Sequence, residues 1–189
     1  CRVMIILPGK LKLFVTALLL LVMYSIPANS QTAELDRLFV ELSSANDQSW
    51  EEIEQNIWRE WSKSGSSAMD LLLVRGRRAM AEGDLDTAIG HLTALTDHAS
   101  DFAEGWNARA TAYYQAGLFG PSIADIRRTL ALNPRHFGAL SGLGMILEQL
   151  DYPKDALEAY RAVLAIHPFR PALEETVKRL EKEVGGTDI

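Results

Sequence analysis

Small and apolar residues recur along this chain at intervals of 34 positions. Gly76, Ala110 and Gly144 form one set with this interval. The other sets are Ala79, Tyr113 and Leu147; Ala88, Ser122 and Ala156; Leu92, Ile126 and Tyr160; and Leu95, Thr129 and Val163. Three copies in register predict a stacked array of helix–turn–helix units, in which each unit buries its apolar face on the next. Such arrays present surfaces to partners, so the pattern favours binding over catalysis.

The repeat divides the chain into three units, which are residues 69–102, 103–136 and 137–170. Each unit is expected to split into two helices at a turn. Gly83 and Gly117 mark the first two turns, because glycine readily adopts the left-handed backbone that ends a helix. Pro153 follows the third turn and suits the first position of a new helix.

Helices are also predicted on both sides of the repeated units. Residues 31–68 contain two helical patterns, and Ser49 with Glu52 matches a capping box at the start of the second. We interpret 31–68 as a degenerate repeat that covers the outer face of the first unit. Residues 171–189 predict a capping helix with a single apolar stripe, followed by a short tail.

The first thirty residues have the pattern of a secretory signal peptide. Basic residues precede an uncharged, largely apolar stretch at 13–26, and small residues follow it. We expect cleavage after Ser30, with Met4 as a natural start, and therefore export, with a bacterial periplasm as the predicted location. The alternative is that 13–26 stays uncleaved and anchors the chain in the inner membrane, although it is shorter than the roughly 18 residues expected of a spanning helix.

Charge and cysteine content exclude several function classes. Loss of 1–30 would remove three basic residues and no acid, which takes the formal charge from −6 to −9. Such a surface repels nucleic acid and anionic lipid, so we expect no nucleic-acid partner, and a membrane only through an uncleaved leader. Cys1 is the only cysteine, so the cleaved chain would have neither disulfides nor thiolate chemistry.

The four histidines do not form a recognisable site. No two of them have the spacing of a metal-binding pair on one helix; they are His91, His98, His136 and His167. The last three fall near junctions between units, about 10 Å apart by the repeat rise, which is too far for one ion. We expect capping or solvated roles for them, and no catalytic residue, metal or cofactor.

The units resemble the tetratricopeptide (TPR) repeat, whose pattern is W-x2-L-G-x2-Y…A-x3-F…P over 34 residues. The middle unit matches at Trp106, Ala110, Tyr113, Ser122, Ile126 and Pro134. The third unit matches at Leu143, Gly144, Ala156, Tyr160 and Pro168. Arg75 and Arg109 stand where the pattern has leucine. The resemblance implies an all-α, right-handed solenoid with a concave groove that binds a peptide or a partner protein.

The helical offset from the packing stripe predicts which side chains line that groove. They are Asp70, Leu73, Arg77, Met80, Glu104, Asn107, Thr111, Tyr114, Ser141, Met145 and Glu148. Only Arg77 and Asn107 would suit a clamp for a peptide carboxylate. We therefore expect a segment with apolar anchors and some basic character, bound by a non-enzymatic adaptor of the cell envelope. The alternative is a membrane-tethered oligomeric scaffold that uses 13–26 as its anchor.

Overall fold

In the computed structural model, residues 32–45 and 49–186 are described, and within those ranges the chain forms nine helices and no strand. The first helix, α1, covers 32–43. The others are α2 (Trp50–Trp61), α3 (Ser67–Ala81), α4 (Leu85–His98), α5 (Ala103–Gln115), α6 (Phe119–Leu132), α7 (Phe137–Gln149), α8 (Pro153–Ile166) and α9 (Pro171–Gly186). The all-α fold predicted from the repeat is confirmed. The proposed signal peptide, 1–30, lies outside the described residues.

The repeated units each hold one pair of helices. The pairs are α3 with α4, α5 with α6 and α7 with α8, and successive pairs pack against each other. Gly83 and Gly117 adopt φ values of 77° and 73° at the first two turns, as expected. Asp151 takes φ 63° at the third turn, where the sequence has no glycine. Aspartate tolerates this backbone better than most residues, so the three turns have similar geometry.

The small residues of the repeat allow the two helices of a pair to approach closely. A Cβ atom at Gly76 would lie 2.5 Å from Leu92 Cγ, and one at Gly144 would lie 2.7 Å from Tyr160 Cδ1. Both distances are well below van der Waals contact. The glycines are therefore required by the packing of α3 on α4 and of α7 on α8.

A part-buried ion pair joins α5 to α6 where the TPR pattern has leucine. The Arg109 guanidinium donates to both carboxylate oxygens of Asp125, at 2.7 and 2.9 Å. A third nitrogen donates to the Thr96 hydroxyl of α4 at 2.8 Å. The hydrogen bond with Asp125 is the largest influence on the pKa of Arg109, which is raised. Arg109 thus links α4, α5 and α6 by hydrogen bonds, where the leucine of the TPR pattern would make apolar contacts.

The helices α1 and α2 form a hairpin that packs on the junction between the second and third units. Its apolar side chains share a core with Phe137 of α7 and Val163 of α8; they are Leu38, Phe39, Leu42, Ile57 and Trp61. Trp58 lies over Gly138, where a Cβ atom would be 2.8 Å from its Cζ2. The sequence-based placement of this pair on the outer face of the first unit is therefore wrong. Trp58 and Trp61 of α2 instead pack against Phe137.

The C-terminal helix α9 caps the third unit. Val177 and Leu180 are buried against Leu157 and Tyr160 of α8, and the opposite side of α9 is charged. Of the helices in the described ranges, none combines the length and apolar character that a bilayer span requires.

Candidate partner-binding groove

An open cavity of about 320 Å³ lies between α5, α6 and α7. Five of the predicted groove residues line it, namely Asn107, Thr111, Tyr114, Ser141 and Met145. Its floor is formed by apolar residues that the repeat places in the core, such as Ala110, Ile126 and Ile146. We call this cavity the α5–α7 groove. None of the residues that line it carries a formal charge.

A second cavity, of about 510 Å³, borders the first. Both are lined by Ser141 and Met145, and the second extends past Trp50 to Leu173 and Arg170. Met145 is 44% exposed at the boundary between them. A largely apolar surface therefore continues from the α5–α7 groove towards the hairpin and α9.

The hydroxyl groups in the groove already have partners. Thr111 Oγ1 donates to the Asn107 carbonyl at 3.0 Å, and Ser141 Oγ donates to the Phe137 carbonyl at 2.8 Å. The Tyr114 hydroxyl accepts from Gln149 Nε2 at 2.6 Å. The Thr111 and Ser141 donors are thus occupied, and the groove offers mainly methyl, methylene and aromatic surface to a partner.

The remaining predicted groove residues are not part of this cavity. Leu73 is 1% exposed and belongs to the core of the first unit, and Met80 packs against the same core. Asp70 accepts from the backbone N–H and the hydroxyl of Ser64, in the segment between α2 and α3. Glu148 accepts from Tyr160 and is paired with Arg179. The helical offset assigned these residues to the groove side, but their contacts within the chain occupy them.

Glu104 is the most buried charged residue among the predicted groove residues, at 2% exposure. Its carboxylate accepts from Arg77 at 2.5 Å and contacts His136 Nε2 at 2.8 Å. Asn107 donates to the same carboxylate at 3.2 Å. A charge in such a place needs several partners to offset the loss of water. Glu104 is therefore an internal anchor, and Arg77 and Asn107 are largely engaged by it.

His136 connects this cluster to the hairpin. Its Nδ1 accepts the backbone N–H of Ala139 and so caps α7, which agrees with the capping role expected from sequence. The Nδ1 acceptor leaves the ring proton on Nε2, facing Glu104. The ring stacks on Trp61 of α2 with centroids 4.1 Å apart. The imidazole is fully buried, so the solvated alternative does not hold for it.

His167 makes a second buried contact of the same kind. Its Nε2 lies 2.9 Å from Glu54 of α2, and its ring meets Trp50 edge-on with centroids 5.5 Å apart. Arg170 lies 3.6 Å from the same carboxylate. The contact between Glu54 and His167 could not be predicted from the sequence, because the two residues are 113 positions apart. Within the described ranges, no three potential metal ligands are grouped together.

The Glu54 contacts predict a pH dependence. Burial raises the pKa of Glu54, but hydrogen bonds from His167 and Trp58 and the charge of Arg170 together bring it below the ordinary value of 4.5. A carboxyl with a lowered folded-state pKa stabilises the fold above its unfolded value, and that contribution disappears as pH falls through the folded value. We expect Glu54→Gln to destabilise the protein near neutral pH, and progressively less as the pH falls below the ordinary pKa of 4.5 and through the lowered folded-state value.

Urea unfolding at several pH values, followed by tryptophan fluorescence, measures this difference. Glu51→Gln is a matched control, because Glu51 is an exposed residue of the same helix. A gap between wild type and Glu54→Gln that stays constant from neutral to acid pH would contradict the prediction.

Comparison with known proteins agrees with the repeat and the fold. Residues 73–120 and 108–171 match the sequence profile of the tetratricopeptide repeat. A TPR repeat-containing protein of Rhizobium etli is 33% identical over 160 residues, which are 84% of this chain and 78% of that protein. The small glutamine-rich tetratricopeptide repeat-containing protein 2 of Saccharomyces cerevisiae is 29% identical over 116 residues, 61% of this chain and 33% of its own length.

A solved structure with a similar fold is the first TPR domain of Spaghetti (RPAP3), bound to an HSP90 peptide of sequence SRMEEVD. It is 22% identical, with a TM-score of 0.59 over 62% of this chain and 93% of that domain. The profile matches more than half of the chain, and the Rhizobium relative extends the similarity beyond the repeated units. This chain therefore belongs to the tetratricopeptide repeat family.

Proposed function

We propose that this protein is a non-enzymatic adaptor of the cell envelope, which binds a segment of a partner protein in the α5–α7 groove. TPR domains are protein–protein interaction modules, and structural neighbours of this chain bind peptides. The observation that carries the proposal is the groove itself: an open, uncharged surface lined by Tyr114 and Met145, with an apolar floor. Methionine adapts its shape to varied partners, which suits such a surface.

The contacts of the charged residues favour an apolar, uncharged segment as the ligand. The HSP90 peptide in the related structure carries three acidic residues. In this chain Arg77 is paired with Glu104, and Asn107 donates to the same carboxylate, so neither is free to hold a peptide carboxylate. The acids Asp70, Glu104 and Glu148 are also bonded within the chain, which leaves little attraction for a basic segment. Aliphatic or aromatic anchors fit the groove best.

The proposed envelope location is inferred from the N-terminal segment 1–30. The basic start, the apolar stretch at 13–26 and the small residues before Gln31 support export. The second candidate, a membrane-tethered scaffold, is favoured by the same apolar stretch if it remains attached. The mass of the protein purified from cells separates the two, because loss of 1–30 removes the anchor.

Photo-crosslinking at the groove tests the proposal. A benzophenone amino acid in place of Tyr114 is expected to capture one dominant envelope protein in cells. Met145→Asp should reduce that capture at least tenfold, because it places a charge on the apolar surface that the ligand covers. Leu118→Asp is a matched control, since Leu118 is 46% exposed but lies outside the groove.

The outcomes are distinct. Capture that is unaffected by Met145→Asp would place the partner on another surface. Capture of only a second copy of the chain would favour the scaffold, and a captured protein outside the envelope would contradict the proposed location.

A further inference from the structure

The outward side of α3 carries exposed aliphatic and basic side chains together. Leu71 is 47% exposed and Val74 is 59% exposed, and Arg75 and Arg78 lie on the same side of the helix, which is therefore partly apolar and partly basic. We call these four residues the α3 end face. They are spaced at three and four positions, so they form one continuous stripe along the helix.

The 34-residue register shows what this stripe does elsewhere in the molecule. In the second unit, the positions of Leu71, Val74 and Arg78 are taken by Gly105, Ala108 and Ala112, and in the third by Ala139, Gly142 and Ile146. Ala108 and Ala112 are buried against Leu92 and Leu95 of α4. Ala139 and Ile146 are buried against Ile126 of α6. In both units the stripe is the surface on which the second helix of the preceding unit packs.

The first unit has the same stripe but leaves it exposed. The hairpin of α1 and α2 could have filled the place of a preceding unit, but its core is shared with Phe137 and Val163 instead. Leu71 and Val74 are also larger than the small residues at the equivalent positions. The α3 end face is thus a stacking surface with room for a helix, and no helix within 32–45 or 49–186 buries it.

Arg75 indicates which side chains a helix docked on the α3 end face would need. Its equivalent Arg109 is bound by Asp125 of its own unit and by the hydroxyls of Thr93 and Thr96 on the preceding helix. His91 occupies the position of Asp125 in the first unit, so that carboxylate is absent there. Across the described residues, no carboxylate lies within ion-pair distance of Arg75. Arg78 forms an exposed ion pair with Glu82 of its own helix, at 2.8 Å, so Arg75 is the residue for which an approaching helix would have to supply the acceptors.

We propose that the α3 end face docks an amphipathic helix of a partner protein, whose aliphatic ridge covers Leu71 and Val74 and whose acidic side chains reach Arg75 and Arg78. Docked in this way, the helix extends the solenoid by half a unit. The surface is separate from the α5–α7 groove, so the protein can hold two partners at once. Opposite charges across the contact set the orientation of the helix and exclude basic competitors.

A second copy of the chain is a poorer occupant. The far end of the solenoid is α9, whose exposed side is charged and carries no large exposed aliphatic residue in the described part of the helix. Two α3 end faces packed on each other would bring the arginines of both copies into one contact. Like charges across an interface are unfavourable, so self-association through this surface is disfavoured.

A crosslinker at the α3 end face tests the inference. A benzophenone amino acid at Val74 in the full chain, followed by mass-spectrometric mapping, should capture a segment with aliphatic residues at three- and four-residue spacing and acids beside them. Arg75→Glu with Arg78→Glu should lower the captured yield at least tenfold. Arg127→Glu is the control, because Arg127 is an exposed arginine on α6, away from this face.

The captured segment is then synthesised as a peptide, and the charges on the peptide and on the protein are exchanged. A peptide in which the acidic residues are changed to lysine should not bind the wild-type protein. The Arg75→Glu, Arg78→Glu variant should bind this lysine peptide more tightly than it binds the acidic peptide. Four results overturn the inference: capture of nothing, capture of a second copy of this chain, a segment without acids, or no reversal of preference. Each result is independent of capture at Tyr114, so failure here leaves the groove proposal standing.

Discussion

Asp125→Ala is expected to lower the free energy of unfolding by about 3–5 kcal/mol, because removal of one partner of a buried ion pair leaves the other charge uncompensated. Asp125 is almost fully buried and accepts two hydrogen bonds from Arg109. The guanidinium is itself held between α4, α5 and α6, so it cannot turn into water without disturbing their packing. Urea unfolding followed by circular dichroism measures the change.

Two controls separate this pair from ordinary surface charge. Arg109→Leu combined with Asp125→Ala removes both charges and restores the leucine of the TPR pattern, and it should be more stable than Asp125→Ala alone. Glu181→Ala breaks the exposed Arg161–Glu181 pair and should leave stability nearly unchanged. Equal effects of Asp125→Ala and Glu181→Ala would show that the Arg109 contact contributes no more than a surface pair.

Gly144→Leu is expected to destabilise the protein by about 1–3 kcal/mol or more, which is the usual cost of overpacking a filled core. A Cβ atom at Gly144 would already lie 2.7 Å from two atoms of the Tyr160 ring. That ring cannot easily withdraw, because its hydroxyl donates to Glu148 at 2.9 Å and burial holds the side chain between α7 and α8. The pKa of Tyr160 should be raised for the same reasons, burial first and Glu148 second.

Gly90→Leu provides the matched control for this substitution. Gly90 lies inside α4, and no atom lies within 4 Å of a Cβ built there. Leucine has a higher helix propensity than glycine, so this variant should be as stable as wild type or more stable. Thermal unfolding compares the two. Equal melting temperatures for Gly144→Leu and wild type would mean that α7 and α8 do not pack in this register.

The repeated part of the fold was predictable because the same physical requirement occurs three times. Small residues at 76, 110 and 144 are each opposed by a larger residue, and the 34-residue spacing sets the register without reference to any distant contact. The turns follow from local chemistry, since glycine or aspartate supplies the left-handed residue. The positions of the three turns therefore follow from the sequence.

The hairpin could not be placed in the same way. Its position depends on contacts that occur once and join distant parts of the chain, such as Trp58 with Gly138 and Glu54 with His167. Helical periodicity shows that α2 has an apolar side, but not which surface covers it. The pattern at 50–61 is compatible with stacking on α3, whereas in the structure Trp58 and Trp61 pack against Phe137.

Only part of the groove could be predicted, again because contacts between distant parts of the chain are not visible in the sequence. A helical offset assigns residues to a side of a helix, and the structure places Thr111, Tyr114 and Met145 around one cavity on that side. The offset cannot tell whether another part of the chain covers that side. Glu104 was assigned to the groove, yet His136 and Arg77 converge on it, because a buried carboxylate requires partners that sequence alone does not reveal.

The tryptophans of α2 give the hairpin an optical signal of its own. Three of the four tryptophans in the chain lie in this helix, and Trp58 and Trp61 contact each other as well as Phe137. If the hairpin separated from the repeats, these indoles would pass from an apolar setting into water, and the emission maximum would move to longer wavelength. Far-UV circular dichroism would barely change, since the helices of the repeats would persist. The unlabelled protein can therefore report whether a ligand, a substitution or a change of pH releases its first two helices.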